Sequence, residues 1–143
     1  MKKKYLIVVA DYYQDIAKGL LDSALKLIPK SNFIKIIRVP GVFEIPVTIS
    51  KNIKKYDAFL ALGCVIKGQT PHFDFISQAS TNAIMDMSVL NKKPIGNGII
   101  TCLNMGQAKK RKKKGAEAAK AVNSVLSQKW KLILIQKTIL GLL

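Results

Sequence analysis

Apolar and polar positions along the chain fall into two alternating periods. Tyr5–Ala10, Phe33–Val39, Ala58–Ile66 and Ile99–Leu103 are rich in Ile, Val and Leu and bounded by polar or turn residues, which predicts four strands. Ala58–Ile66 is nearly continuously apolar, as a strand covered on both faces must be, and Gly63 inside it predicts a close approach to the backbone. Between the strands the period becomes helical. Ile16, Leu20, Leu21, Ala24, Leu25 and Ile28 recur at helix spacing, and Pro29 closes that segment. Glu44–Lys55 carries Pro46 in its first turn, where a missing N–H costs nothing, followed by Val47, Ile49 and Ile53. Asp74–Leu90 and Ala116–Gln128 supply two more helices. Strands alternating with helices predict an α/β fold, a three-layer α/β/α sandwich around a four-stranded parallel sheet.

In such sheets ligands bind outside the carboxyl ends of the strands. Here those ends are Asp11-Tyr12-Tyr13, Pro40 to Glu44, Lys67 to His72, and Asn104-Met105-Gly106. They collect aromatics, one of two glutamates and the only histidine. Histidine is the side chain whose unperturbed pKa, about 6.5, lets it exchange protons near neutral pH, so His72 is a natural general acid/base; a polar residue capping a turn is the competing reading. Aromatics at strand ends serve as core lids as well as stacking platforms. Free backbone N–H groups where a helix starts after His72 would suit an anion, a phosphate in particular.

With 143 residues the chain forms one domain, with a core over about residues 5–128 and an apolar tail over 129–143. A globule of this size buries roughly 68–70% of its unfolded surface. The composition, 49% apolar, excludes disorder despite a formal net charge of +16. All basic residues except Arg38 and Arg111 are lysines. A nucleic-acid reader uses arginine forks and interleaved aromatics, so drift toward Lys, Ile and Asn is the stronger explanation of the charge. The run KKRKKK at Lys109 to Lys114 is the main argument for a nucleic-acid patch; it reads equally as a solvated turn beside an anion site.

Cys64 and Cys102 lack metal-type spacing and fall in or at the end of predicted buried strands, as free thiols in a reducing compartment do. The N-terminal apolar stretch is short and ends at Asp11 without a cleavage site, so a cytoplasmic location is expected. The tail WKLILIQKTILGLL from Trp130 is shorter than the ~20 residues of a membrane span; no membrane partner is expected.

Three blocks carry a family resemblance: VPGVFEIP at Val39 to Pro46, LGCVIKGQTPHFDF at Leu62 to Phe75, and PIGNGIIT at Pro94 to Thr101. In this order and spacing they resemble the lumazine synthase family of riboflavin biosynthesis, from about Tyr5 to Gln128, with KGAEAA at Lys114 to Ala119 a weaker match. The resemblance implies a flavodoxin-like sheet and a transferase without metal or organic cofactor. That enzyme condenses 5-amino-6-ribitylaminouracil, a pyrimidinedione, with 3,4-dihydroxy-2-butanone 4-phosphate to give 6,7-dimethyl-8-ribityllumazine. It further implies that Tyr12 and Phe43 sandwich the pyrimidine ring, with Tyr13 the alternative stacking residue. By the same resemblance Glu44 would accept from ribityl hydroxyls, and backbone groups of Gly41, Val42, Cys64, Val65 and Ile66 would read the ring edges. It implies too that Gln69 and Thr70 cradle the phosphate with Arg111, that Lys114 helps to bind the butanone phosphate, and that His72 moves protons.

By the same resemblance the site lies between subunits of a pentamer, one contributing Phe43 and His72 and its neighbour Asn97 and Arg111, with riboflavin synthase a further partner. The short Lys109–Lys114 loop and a first strand starting near residue 5 favour a pentamer or a dimer of pentamers over a full capsid. Two other classes compete with the enzyme: a lumazine- or flavin-binding protein with weakened catalysis, and a lysine-rich nucleic-acid-associated protein.

Overall fold

The structure, a computed structural model, describes residues 2–141, with side chains for 2–128, Ile139 and Gly141. The elements run β1 (Lys4–Ala10), α1 (Gln14–Leu25), β2 (Phe33–Val39), a 3-10 turn (Val42–Glu44), α2 (Ile45–Asn52), β3 (Ala58–Ile66), α3 (His72–Asn91), β4 (Ile95–Cys102), α4 (Met105–Lys110) and α5 (Lys114–Gly141). The strands form one parallel sheet in the order β2-β1-β3-β4. This is the predicted flavodoxin-like α/β architecture.

Alternation along the strands sorts the core into two layers. Tyr5, Ile7 and Val9 of β1 pack with Leu60, Leu62 and Cys64 of β3 against Ile16 and Leu20 of α1 and Ala118 and Val122 of α5. Leu6, Val8 and Ala10 face the other way, with Phe59, Ala61 and Val65, against Ile45 and Ile49 of α2 and Ile84 of α3. Phe59, Leu6, Ile7 and Leu60 are among the fully buried side chains. Burial of each stabilises by about 1.5–3 kcal/mol, which explains why the central strands read as unbroken apolar runs.

Several elements depart from the pattern-based reading: α2 is shorter, Ile45–Asn52, β1 starts one residue earlier and β4 ends one residue earlier, and larger differences fall elsewhere. β4 begins at Ile95, not Ile99. Gly96 and Gly98 are poor strand formers, but a Cβ on Gly96 would strike the Ala118 backbone and one on Gly98 the Leu62 side chain. Tertiary packing of β4 under α5 therefore overrides propensity. α3 starts at His72 itself, so the histidine opens the helix rather than preceding it. The lysine run is not a single solvated turn: Lys109 and Lys110 close α4, residues 111–113 form a link, and Lys114 opens α5. The backbone of α5 continues from the Ala116–Gln128 segment to Gly141. The tail's side chains over 129–138, with those of 140, 142 and 143, lie outside the described residues. Among the described residues, no helix is long and apolar enough to cross a membrane.

Candidate active site

Strand order reverses between β1 and β3, and the crevice that opens at such a switch point is where doubly wound sheets hold ligands. A cleft of ≈ 360 Å³ lies there, lined by Tyr12 and Tyr13 after β1, Gly41 to Glu44 after β2, Cys64 to Ile66 at the end of β3, and His72 and Ile76 on α3. Gly63 makes this assembly possible. A Cβ there would come within 2.8 Å of Val42 Cγ2 and 3.1 Å of Ala10 Cβ, so its absence lets the 3-10 turn settle onto β3. That turn aims Phe43 and Glu44 at the cleft.

Glu44 is held from both ends. Its Oε1 accepts the Gly41 N–H at 3.0 Å and its carbonyl accepts the Thr48 hydroxyl at 2.7 Å. Its second carboxylate oxygen has no protein partner among the described residues and is free to accept from a ligand. Tyr12 and Phe43 are 76% and 69% exposed, two large rings flanking an open cleft. His72, also exposed, stands where β3 hands over to α3. The first turn of α3 has no side-chain cap. The Asp74 and Phe75 N–H groups bond the Pro71 carbonyl.

Other candidate residues lie elsewhere. Gln69 and Thr70 are exposed in the loop before α3, outside the cleft lining. Asn97 sits mid-strand on β4 opposite Ala61, exposed, its Oδ1 accepting the Ile99 N–H at 3.1 Å. Arg111 follows α4, and its Nη1 donates to the Thr101 carbonyl at 3.4 Å. Lys114 pairs with Glu117 at 3.4 Å on the first turn of α5. β4 is an edge strand, so Asn97 and Arg111 occupy the flank of the sheet and do not line the cleft of their own chain.

Along residues 2–129 the chain matches the sequence profile of the 6,7-dimethyl-8-ribityllumazine synthase family. Proteins named 6,7-dimethyl-8-ribityllumazine synthase are similar to it. One from Agrobacterium fabrum is 40% identical over 146 residues, covering 92% of this chain and 99% of that protein. One from Cutibacterium acnes is 41% identical over 133 residues, covering 87% and 80%. A third, "6,7-dimethyl-8-ribityllumazine synthase 1" from Rhodopseudomonas palustris, is 40% identical over 142 residues, covering 90% and 87%. The chain belongs to the 6,7-dimethyl-8-ribityllumazine synthase family.

In this family member the floor of the cleft is chemically quiet. Burial, with Cys102 adding to it, pushes the Cys64 thiol up to about 12, so at neutral pH it is a neutral, poorly nucleophilic group. Tyr13 is raised as well, by burial first and then by Tyr12 and Cys64. Among the described residues no group of three or more His, Cys, Asp or Glu is placed to hold a metal ion.

Two contributors escaped the sequence reading. Ile76 lines the cleft one helical turn after His72, and the i, i+4 relation to the histidine was the available signal. Ser23 of α1 organises the loop that carries Arg111. Its single hydroxyl proton is shared between the carbonyls of Lys112 at 2.8 Å and Leu20 at 3.0 Å, and its oxygen accepts the Ala116 N–H at 3.1 Å. It thus caps α5 from a neighbouring helix, a relation no local spacing reveals.

Proposed function

We propose that the chain condenses 5-amino-6-ribitylaminouracil with 3,4-dihydroxy-2-butanone 4-phosphate to 6,7-dimethyl-8-ribityllumazine, the penultimate step of riboflavin biosynthesis. The observation that carries this reading is the convergence of Tyr12, Phe43, Glu44 and His72 on one cleft at the sheet's switch point, in a chain of this family. The two exposed rings sandwich the pyrimidinedione. Tyr12 takes this part and not Tyr13, whose ring is partly buried and packs against the core. Glu44 accepts from ribityl hydroxyls, and the backbone at Gly41, Val42, Cys64, Val65 and Ile66 reads the polar ring edge.

The 5-amino group attacks the ketone carbonyl, and the carbinolamine loses water to give an imine. Loss of a proton from the adjoining carbon drives out the phosphate and leaves an enol. The enol becomes a ketone, the ribityl-bearing nitrogen closes on it, and a second water leaves to complete the pyrazine ring. No electrons enter or leave overall, so no redox cofactor is required. His72 moves the protons, a contribution of typically ~10²–10⁴-fold. Alignment of two reactants supplies up to ~7–11 kcal/mol, so positioning dominates.

The phosphate would sit by Gln69 and Thr70 with Arg111, whose planar fork suits it, and with Lys114 nearby. Asn97 on β4 and Arg111 after α4 lie away from the cleft of their own chain, which supports a site completed by a neighbouring subunit. A pentamer, or a dimer of pentamers, is the proposed assembly. The exposed Phe75, Met85, Val89 and Leu90 of α3 supply apolar surface for it. A monomer at assay concentration in sedimentation would refute this arrangement. Two free buried cysteines accord with a cytoplasmic location, and riboflavin synthase would take up the product.

Incubation of the purified chain with both substrates should release one inorganic phosphate for each lumazine formed. Phosphate release without the lumazine absorbance would contradict the reaction.

A further inference from the structure

We infer that Tyr13 is a positioning residue that locks the Tyr12 ring as a fixed stacking platform; this rests on the reaction proposed above. The two rings meet edge to face, with centroids 4.9 Å apart and planes at 81°. In that arrangement the positive edge of one ring meets the negative face of the other. Their surroundings are unequal. Tyr12 is 76% exposed. Tyr13 is half-buried and packs against the core layer that contains Cys64, Ile16 and Ala17.

The backbone of Tyr13 is anchored as firmly as its ring. Its carbonyl accepts the Ala17 N–H at 2.9 Å, the first bond of α1. A chain of contacts therefore runs from the core through Tyr13 to an exposed ring at the mouth of the cleft. An exposed aromatic left to itself exchanges rotamers and loses that freedom when a ligand stacks on it; one held beforehand loses less. The device acts on affinity for the flat substrate and leaves proton transfer at His72 untouched.

The test measures lumazine formation by the assembled full-length protein carrying Tyr13→Leu or Tyr13→Phe, each in the native and the Tyr12→Leu backgrounds. Tyr13→Leu is expected to raise KM for the pyrimidinedione roughly two- to tenfold, leaving kcat and KM for the butanone phosphate unchanged. Tyr13→Phe, which keeps the ring, should restore the native KM. In the Tyr12→Leu background Tyr13→Leu should add nothing, because its effect passes through Tyr12. An unchanged KM in the native background, or an equal rise in both, would overturn the inference. Should Tyr13→Leu not fold, Tyr13→Met fills the same space with a flexible chain and is read in the same way. A native protein that makes no lumazine refutes the reaction instead, and the same variants are then read by equilibrium binding of the pyrimidinedione, with the same criteria.

Discussion

Gly63 and Val42 meet with no room for a side chain between them: a Cβ on the glycine would lie 2.8 Å from Val42 Cγ2. The contact joins the central strand to the turn that presents Phe43 and Glu44, so a core packing constraint fixes the geometry of the cleft.

Gly63→Ala should therefore cost stability and binding together. Overpacking typically costs about 1–3 kcal/mol, and its relief requires the 3-10 turn to lift. Denaturant unfolding should show that loss, and KM for the pyrimidinedione should rise. A destabilised variant with native KM would separate the turn from substrate binding.

His72→Ala should slow turnover by about 10²-fold and at most ~10⁴-fold, with both substrates still bound. Loss of all detectable activity with binding intact would mean that proton transfer outweighs alignment, contrary to the ranking above.

Ser23→Ala removes the hydroxyl that caps α5 and ties down the Lys112 carbonyl. A lost cap costs about 1 kcal/mol. Because Arg111 lies one residue before Lys112, KM for the butanone phosphate should rise while that for the pyrimidinedione stays fixed. Thermal unfolding and steady-state rates check both parts.

The Cys64 thiol is held protonated in the fold, up to about 12, whereas in an unfolded chain it ionises near ~8.5. A raised folded value contributes stability that is present below the unfolded pKa and lost as pH rises toward the folded one. Stability should thus fall between about pH 8.5 and about 12, and Cys64→Ala should flatten part of that slope. An unchanged alkaline slope in the variant would show that other groups govern it.

The central strands β1 and β3 were legible because burial on both faces leaves an apolar run with no competing reading; β3 begins and ends where the pattern places it and β1 starts one residue earlier, at Lys4. The first half of β4 was not, since Gly96, Asn97 and Gly98 are weak strand formers whose position is set by packing under α5. α4 was illegible for another reason. It is six residues long and mostly polar, started by the Asn104 side chain accepting the Gln107 N–H at 2.9 Å, and a helix this short owes little to periodicity. In the site, the strand ends pointed to Tyr12, Glu44 and His72. The part proposed for Tyr13 and the contacts made by Ser23 arise between elements, which no one-dimensional spacing encodes.

The most direct measurement is steady-state lumazine formation, followed by absorbance, with the native protein and Arg111→Ala side by side. The native protein should turn over, and the variant should need far more butanone phosphate, with KM for the pyrimidinedione unchanged. A native protein that binds the pyrimidinedione but forms no lumazine, under conditions where a known lumazine synthase does, would contradict the proposed reaction.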